Sequence, residues 1–428
     1  MEVEALKLII KTQKEAILRR EEGVKRDLLN DIEEHVKFKE AIILTGVRRC
    51  GKSTLLFQTM RFLLKNNVNQ DNILYVNFED ERLISFEVSD FEHLYQAYLQ
   101  LYVPKGRIYV FLDEIQNVEN WEKWVNRMLE FEDIRIFVTG SNSSLIKSDV
   151  SAALTGRNVL FEEFPISFRE FAGEVEPYTS RGLAAIRTKF EKYIGYGGFP
   201  EVILKDRKDL IYAYLGDIIN RDILRRYEIR NTKRFEEFAM YAVGLYGKNA
   251  SFSKLQKVFN LGSPNTAKLF LSYLENAYLL FTVDNYSSSK AEIIRSPKKI
   301  YAVDHALAAA ASNNPLNEKS NIMENITFIE LIRRLGKTSK IYYWRDYKQR
   351  EIDFVVKQGS KITELIQVTY TSSGNKLADR EIDNLLIASE DLLCNNLLVI
   401  TWDYEAVETV KGKKIKFIPL WKWLLSIN

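Results

Sequence analysis

The chain has 428 residues, 46% of them hydrophobic and 28% charged, with a formal net charge of +3. That length exceeds one ordinary hydrophobic core and points to roughly two to four domains, and the balance excludes a disordered or fibrous chain. A charge this near zero neither demands nor forbids a nucleic-acid partner.

Cys50 and Cys394 are the only cysteines. They lie too far apart in sequence for a metal spacing and fit a reduced compartment. With three histidines and no Cys/His cluster, a zinc site is not expected. The N-terminus is charged, and no apolar run approaches the length of a membrane span, so the expectation is a cytoplasmic protein with no membrane partner.

In chain order, residues 1–40 read as helical, with apolar positions such as Leu6, Ile9, Ile10, Leu29 and Ile32. They form either a packing extension of the next domain or part of a base pocket. The apolar run Ala41-Ile42-Ile43-Leu44 reads as a buried strand. After it come Gly46, Val47, Arg48, Arg49, Cys50, Gly51, Lys52, Ser53 and Thr54, then a helical pattern to about Lys65. Strand, glycine-bounded loop and helix are the setting in which G-x-x-x-x-G-K-[ST] means a phosphate-binding loop. The glycines let backbone N–H groups turn inward on an anion, and the helix N-terminus faces the same charge. Lys52 reaches β- and γ-phosphates, the Ser53 hydroxyl holds Mg²⁺, and Thr54 sits by the α-phosphate. Arg48 and Arg49 either touch the triphosphate or pair with nearby acids. Cys50 is either an oxidation-sensitive point or filler.

The run Ile108 to Leu112 ends in Asp113-Glu114. Acids at the carboxyl end of a buried strand lie where open α/β sheets bind ligands. Asp113 completes the Mg²⁺ shell and Glu114 polarises the attacking water. With runs at Ile73 to Val76 and Ile134 to Val138, strands alternate with helices, as in a parallel sheet with right-handed crossovers. The fourth run ends in Thr139-Gly140-Ser141-Asn142, where Thr139, Ser141 or Asn142 meets the γ-phosphate; turn chemistry explains Gly-Ser-Asn equally. Arg157, in Leu154-Thr155-Gly156-Arg157, stabilises spread phosphate charge in its own subunit or a neighbour's, or makes a surface ion pair.

These segments resemble the archaeal/prokaryotic AAA+-like P-loop ATPases, grouped near the STAND ATPases. The resemblance adds Trp121 and Trp124, Ser143, Pro165 to Phe171, Tyr196-Gly197-Gly198-Phe199-Pro200-Glu201 and Arg221-Asp222-Ile223-Leu224. It implies an α/β fold: a P-loop NTPase parallel sheet (ASCE/AAA+-like) in which the strand before Ser141 separates the loop strand from the Asp113 strand. It also implies ATP and Mg²⁺ as cofactors and hydrolysis as a switch. Lys52, Glu114, Asn142 and Arg157 are the expected catalytic residues.

The expected division is an ATPase core over 1–160, a helical lid over 161–232, a winged helix over 233–312 and an α/β unit over 313–428. In the lid, the Gly-Gly-Phe-Pro turn is a hinge near nucleotide or a tight connection. Arg221, Arg225, Arg226, Arg230, Lys233 and Arg234 crowd one stretch, either a solvated face or a surface for phosphate or acids. In the winged helix, Ser251 starts one helix and Ser263-Pro264 a second. That second helix turns Ala267, Leu269, Phe270, Tyr273 and Leu274 inward, and Asn265, Thr266 and Lys268 toward a DNA groove. Arg295, Lys298 and Lys299 are expected as a basic wing. Double-stranded DNA through 221–234 and 251–299, a protein client or a second copy are the candidate partners.

The last unit resembles a PD-(D/E)XK nuclease-like domain. Such a nuclease needs Glu330, Asp353, an acid on the next strand and a lysine two residues on. Gln367 and Thr369 occupy those last two positions. Hard divalent cations favour carboxylate cages, so the expectation is a degenerate restriction-endonuclease-like fold without cleavage.

Overall fold

In the computed structural model, residues 1–142, 154, 156–176, 179–312, 319–336, 338–371 and 379–426 are described. Ser143 and Thr155 lie outside them. The chain divides into a first unit, Met1–Phe164 with Asn276–Tyr278, and a second, Pro165–Glu275 with Leu279–Asn428.

The first unit holds five strands, β1 (Ala41–Thr45), β2 (Ile73–Asn77), β3 (Ile108–Asp113), β4 (Ile134–Gly140) and β5 (Asn158–Glu162), in the order β2-β3-β4-β1-β5. Every pairing is parallel. β4 thus lies between the loop strand and the Asp113 strand, as the resemblance implied. Both faces of the sheet are covered, which is why the inner strands read as continuous apolar runs. On one face Ile43, Leu74, Val76, Val110 and Val138 join α1 (Val3–Leu18), α4 (Asp90–Tyr102) and α5 (Trp121–Phe131), with Phe91 stacked on Trp124 at 4.8 Å. On the other face Ile42, Leu44, Phe111 and Phe137 meet α2 (Leu28–His35) and α3 (Lys52–Lys65). The α3 residues Leu55, Leu56 and Met60 are fully buried there. This is the doubly wound fold of a P-loop NTPase, with every strand's carboxyl end on one rim.

The second unit opens with helices Phe168–Ala172, Ser180–Tyr196, Pro200–Leu204 and Leu210–Asp217. The Gly197-Gly198 turn is a tight connection: Gly198 N–H donates to Asp304 Oδ2 at 2.6 Å, and a Cβ on Gly197 would lie 2.3 Å from Asp304 Oδ1. A three-stranded antiparallel sheet follows, β6 (Lys248–Ala250), β7 (Leu280–Val283) and β8 (Lys298–Ala302), in the order β6-β8-β7. Helices Phe252–Val258 and Pro264–Asn276 precede β7, and the Ser251 side chain caps the first by accepting the Lys254 N–H. On the second of these helices Ala267, Leu271 and Leu274 are buried, whereas Leu269 is 47% exposed, against expectation.

A six-stranded sheet ends the chain: β9 (Ser339–Arg345), β10 (Glu351–Gln358), β11 (Lys361–Val368), β12 (Leu397–Thr401), β13 (Ala406–Val410) and β14 (Lys413–Pro419). Its order is β13-β14-β12-β11-β10-β9, with β11, β12 and β14 parallel and the outer pairings antiparallel. Among the described residues no helix is long and apolar enough to cross a membrane.

Candidate nucleotide-binding site

β1 delivers the chain to a loop whose geometry is set by three left-handed residues: Gly46 at φ 150°, Arg49 at 66° and Gly51 at 119°. Gly46 is required by space as well as by φ, because a Cβ there would lie 2.0 Å from the Glu163 carbonyl oxygen. Val47 and Cys50 are fully buried beneath the loop. The Cys50 thiol donates to the Glu163 carbonyl at 3.4 Å, and burial pushes its pKa up to about 11. It is therefore filler, since little of it is thiolate. Arg48 pairs with Glu79 at 2.7 Å, the acid-paired alternative; Arg49 is exposed.

Lys52, the first residue of α3, is 4% exposed. Its ammonium donates to the Gly46 and Val47 carbonyls at 3.0 and 3.2 Å and lies 3.7 Å from Glu114 Oε1. Asp113, at the tip of β3, is completely buried. Its carboxylate accepts hydrogen bonds from Tyr75 Oη at 2.9 Å, from Thr139 Oγ1 and from the Ser53 side chain. Burial, and next the charge of Glu114, raise its pKa, while those three hydroxyls pull it down. A buried acid ringed by neutral donors gains from a cation beside it.

Glu114 sits at φ 54°, left-handed without being glycine, the kind of backbone strain that collects at functional sites. Its N–H donates to Thr139 Oγ1 at 2.9 Å, and its carboxylate accepts from Gln116 Nε2 at 2.6 Å. Gln116 Nε2 also lies 3.4 Å from Ser141 Oγ. Ser141 and Asn142, just past β4, are buried on the same rim. The structure thus brings Lys52, Ser53, Asp113, Glu114 and the β4 tip together. The Thr139 hydroxyl bonds Asp113 and receives the Glu114 N–H, so it braces both acids.

Arg157 is not brought there, which corrects its reading as a catalytic residue of its own site. It precedes β5, and its carbonyl accepts the N–H of Ala41, the first residue of β1. The loop follows the other end of β1, about 13 Å of strand away. Its guanidinium pairs with Glu130 at 3.2 Å.

Three contributors had no sequence signal. Arg26 is 4% exposed, forms an ion pair with Glu163, and donates to the Cys50 carbonyl at 2.9 Å and the Phe164 carbonyl at 2.6 Å. Residues 1–40 therefore contribute the loop's floor as well as packing. Tyr75 reads as one more apolar strand residue, and Gln116, two residues past Glu114, carries no pattern of its own.

In the second unit the acids fall differently from expectation. Glu330 is taken by Arg334 at 2.8 Å and Arg333 at 3.2 Å. Glu324, earlier on the same helix, meets Lys299, which in turn bonds Asp353. With Lys299 in place among these acids, no group of three His, Cys, Asp or Glu side chains among the described residues is arranged to hold a metal ion. The basic wing is corrected too. Helix Lys290–Arg295 stands between β7 and β8, Lys298 is bonded to Asp284, and Lys299 is 1% exposed.

Burial and then Asp353 push the Glu324 carboxyl up to about 8 from 4.5, against the pull of Lys299. A raised acid binds more protons folded than unfolded across that interval, so its contribution falls as pH rises through it. Melting temperature measured over that range should fall less steeply with pH in Glu324→Gln than in wild type.

Residues 38–172 match the AAA domain family, 187–318 a domain of unknown function (DUF8612) and 319–423 another (DUF4143). With the sheet order and the loop, this makes the first unit a P-loop ATPase-family domain. Uncharacterized protein MJ1544 of Methanocaldococcus jannaschii is 34% identical over 404 residues, covering 90% of this chain and 88% of that protein. The chain belongs to the same family as MJ1544. An uncharacterized protein of Haemophilus influenzae is 29% identical over 410 residues, 92% of this chain and 97% of that one. Among solved structures, Aeropyrum pernix ORC1 in complex with DNA aligns at 12% identity over 71% of this chain and 96% of that chain, with a TM-score of 0.28.

Proposed function

We propose that this chain binds ATP with Mg²⁺ and hydrolyses it as a molecular switch. The observation that carries the reading is the meeting of Lys52, Ser53, Asp113 and Glu114 on one rim, with Ser53 bonded to Asp113 and Lys52 beside Glu114. Loop N–H groups and Lys52 bind the β- and γ-phosphates, and Lys52 exchanges its loop carbonyls for phosphate oxygens. Ser53 and Asp113 would hold Mg²⁺, which would supply charge neutralisation to the phosphate groups. Glu114 accepts a proton from the attacking water, and Asn142 contacts the γ-phosphate from the β4 tip. Arg157 acts only on a neighbouring copy in this reading. Mg²⁺-dependent phosphate release by the purified chain tests the proposal.

We further propose the division given by the sequence, with a lid over 161–232, a winged helix over 233–312 and a nuclease-like domain without cleavage over 313–428. Duplex DNA is the second reading. Supporting it, Asn265 and Lys268 are exposed on helix Pro264–Asn276, and Arg221, Arg225, Arg226, Arg230, Lys233 and Arg234 are exposed on one stretch. Duplex affinity should fall linearly in log–log with salt, and Lys268→Ala should lower that slope by about one. A flat salt response removes DNA as partner and leaves a protein client.

A further inference from the structure

Outside the nucleotide site, the most unusual chemistry of the described residues gathers around one side chain. Lys299, on β8, has a side chain only 2% exposed. Its ammonium lies 2.6 Å from Glu324 Oε1, 2.8 Å from Glu351 Oε1 and 2.9 Å from Asp353 Oδ1. Three donors meet three carboxylates, so its hydrogen-bonding capacity is filled.

Second oxygens and neighbours fix the acids from behind. Asp353 Oδ2 accepts the Val368 N–H at 3.0 Å, and Glu351 Oε2 accepts Asn249 Nδ2 at 3.0 Å. Tyr301 donates its hydroxyl to Glu324 Oε1 at 2.5 Å, and Arg345 Nε stands 3.7 Å from Glu351. The acids come from β10 and helix Lys319–Arg334, and the cation from β8 of the other sheet.

Electrostatics requires a cation there. Unpaired buried carboxylates are costly, and removing one partner of a buried ion pair costs more than the pair itself contributes. The spacing favours an ammonium. Oxygens 2.6–2.9 Å from a centre suit N–H···O bonds, whereas Mg²⁺ demands about 2.0–2.1 Å and Ca²⁺ about 2.3–2.6 Å. Burial works against the charge on Lys299, but Asp353 and Glu324 more than offset it and leave its pKa raised.

We infer that Glu324, Glu351 and Asp353 form a cation seat whose occupant is the protein's own Lys299 ammonium, which excludes divalent metal and staples β8 to β10. A strand of the three-stranded sheet thereby supplies the six-stranded sheet with the charge that a hard divalent ion would otherwise bring. The seat is saturated from within, and the domain serves as a joint.

The test is metal rescue of Lys299→Met in the full chain, in an Asp113→Asn background so that the nucleotide site does not contribute. The probe is Ca²⁺, read by thermal unfolding, with Tb³⁺ luminescence sensitised by Tyr301 as the second readout. Without metal, Lys299→Met should melt below its parent. Ca²⁺ should restore much of that loss while leaving the parent unmoved, and Tb³⁺ should light up only in the variant. Adding Asp353→Asn and Glu351→Gln should abolish the rescue and raise the metal-free melting point. If Lys299→Met does not fold, dilution from urea with and without Ca²⁺ reads the same point: refolding only with Ca²⁺ supports the seat. A parent that binds Tb³⁺ as well as the variant overturns the inference. So does a variant whose stability ignores Ca²⁺, or one that still responds to Ca²⁺ after Asp353→Asn and Glu351→Gln are added.

Discussion

Lys52→Ala is expected to release phosphate from ATP roughly 10²–10³-fold more slowly than wild type, the scale for losing one aimed donor in a low-dielectric site. Lys52 is positioned for this by the first turn of α3, is nearly buried, and has the loop's own carbonyls as its partners. Exchanging them for phosphate oxygens is a swap of one polar partner for a charged one, so the gain appears on nucleotide binding and grows as charge spreads in the transition state. Affinity for a fluorescent ATP analogue should fall along with turnover. Glu114→Gln should separate the two. It keeps the shape that Gln116 and Lys52 surround but removes the base. Binding should persist while turnover drops by roughly 10²–10⁴-fold, the usual range for general-base catalysis. Steady-state phosphate release and equilibrium binding on the same preparations decide the matter. If wild type and both variants release phosphate at one background rate, the hydrolase reading fails. If only Glu114→Gln matches wild type, the base lies elsewhere on the rim.

Gly46→Ala should be the most damaging of the conservative changes. Its φ of 150° disfavours any side chain, and the new Cβ would stand 2.0 Å from Glu163 O and 3.2 Å from Cys50 Sγ. Glu163 has little freedom to retreat. Its N–H donates to the Thr45 carbonyl at 2.7 Å, continuing the β1–β5 ladder, and its carboxylate is paired with buried Arg26. Relief therefore means opening the ladder or unwinding the loop, at about 3 kcal/mol or more. Urea unfolding should show that loss together with absent nucleotide binding. Gly106→Ala is the control. It has φ 79° but nothing within 4 Å of the added carbon, so backbone strain alone should cost about 1 kcal/mol. Equal stabilities for the two variants would show that the close approach at Gly46 does not matter.

The parts of this fold that could be read from sequence were those whose physics is local. A buried parallel strand is an apolar run wherever it occurs, and a phosphate-binding loop needs its glycines at fixed offsets, so β1 to β4 and the Asp113 tip stood out. β5 and β13 did not. Both lie at sheet edges, with half-exposed patterns that periodicity cannot separate from loops. On helix Pro264–Asn276 the apolar pattern offers both Leu269 and Leu271 to the core, and packing buries Leu271. Glu330 and Glu324 share one helix, and only three-dimensional packing shows which face meets Asp353. Residue type and motif cannot say which end of a strand Arg157 occupies, and the register of β5 against β1 puts it on the rim opposite the loop. Lys299 looked like one more surface cation, because its acid partners arrive from elements later in the chain.

The floor beneath Cys50 has a temporal consequence. Cys50 and Glu163 are separated by 113 positions, and Arg26 joins them from upstream of both. As the polypeptide leaves the ribosome, the glycine-bounded turn emerges long before β5 exists to lie beneath it. The cradle can close only once residue 164 is free of the exit tunnel. Nascent chains halted short of that point should be unable to grip a nucleotide, even with every residue of the motif already made.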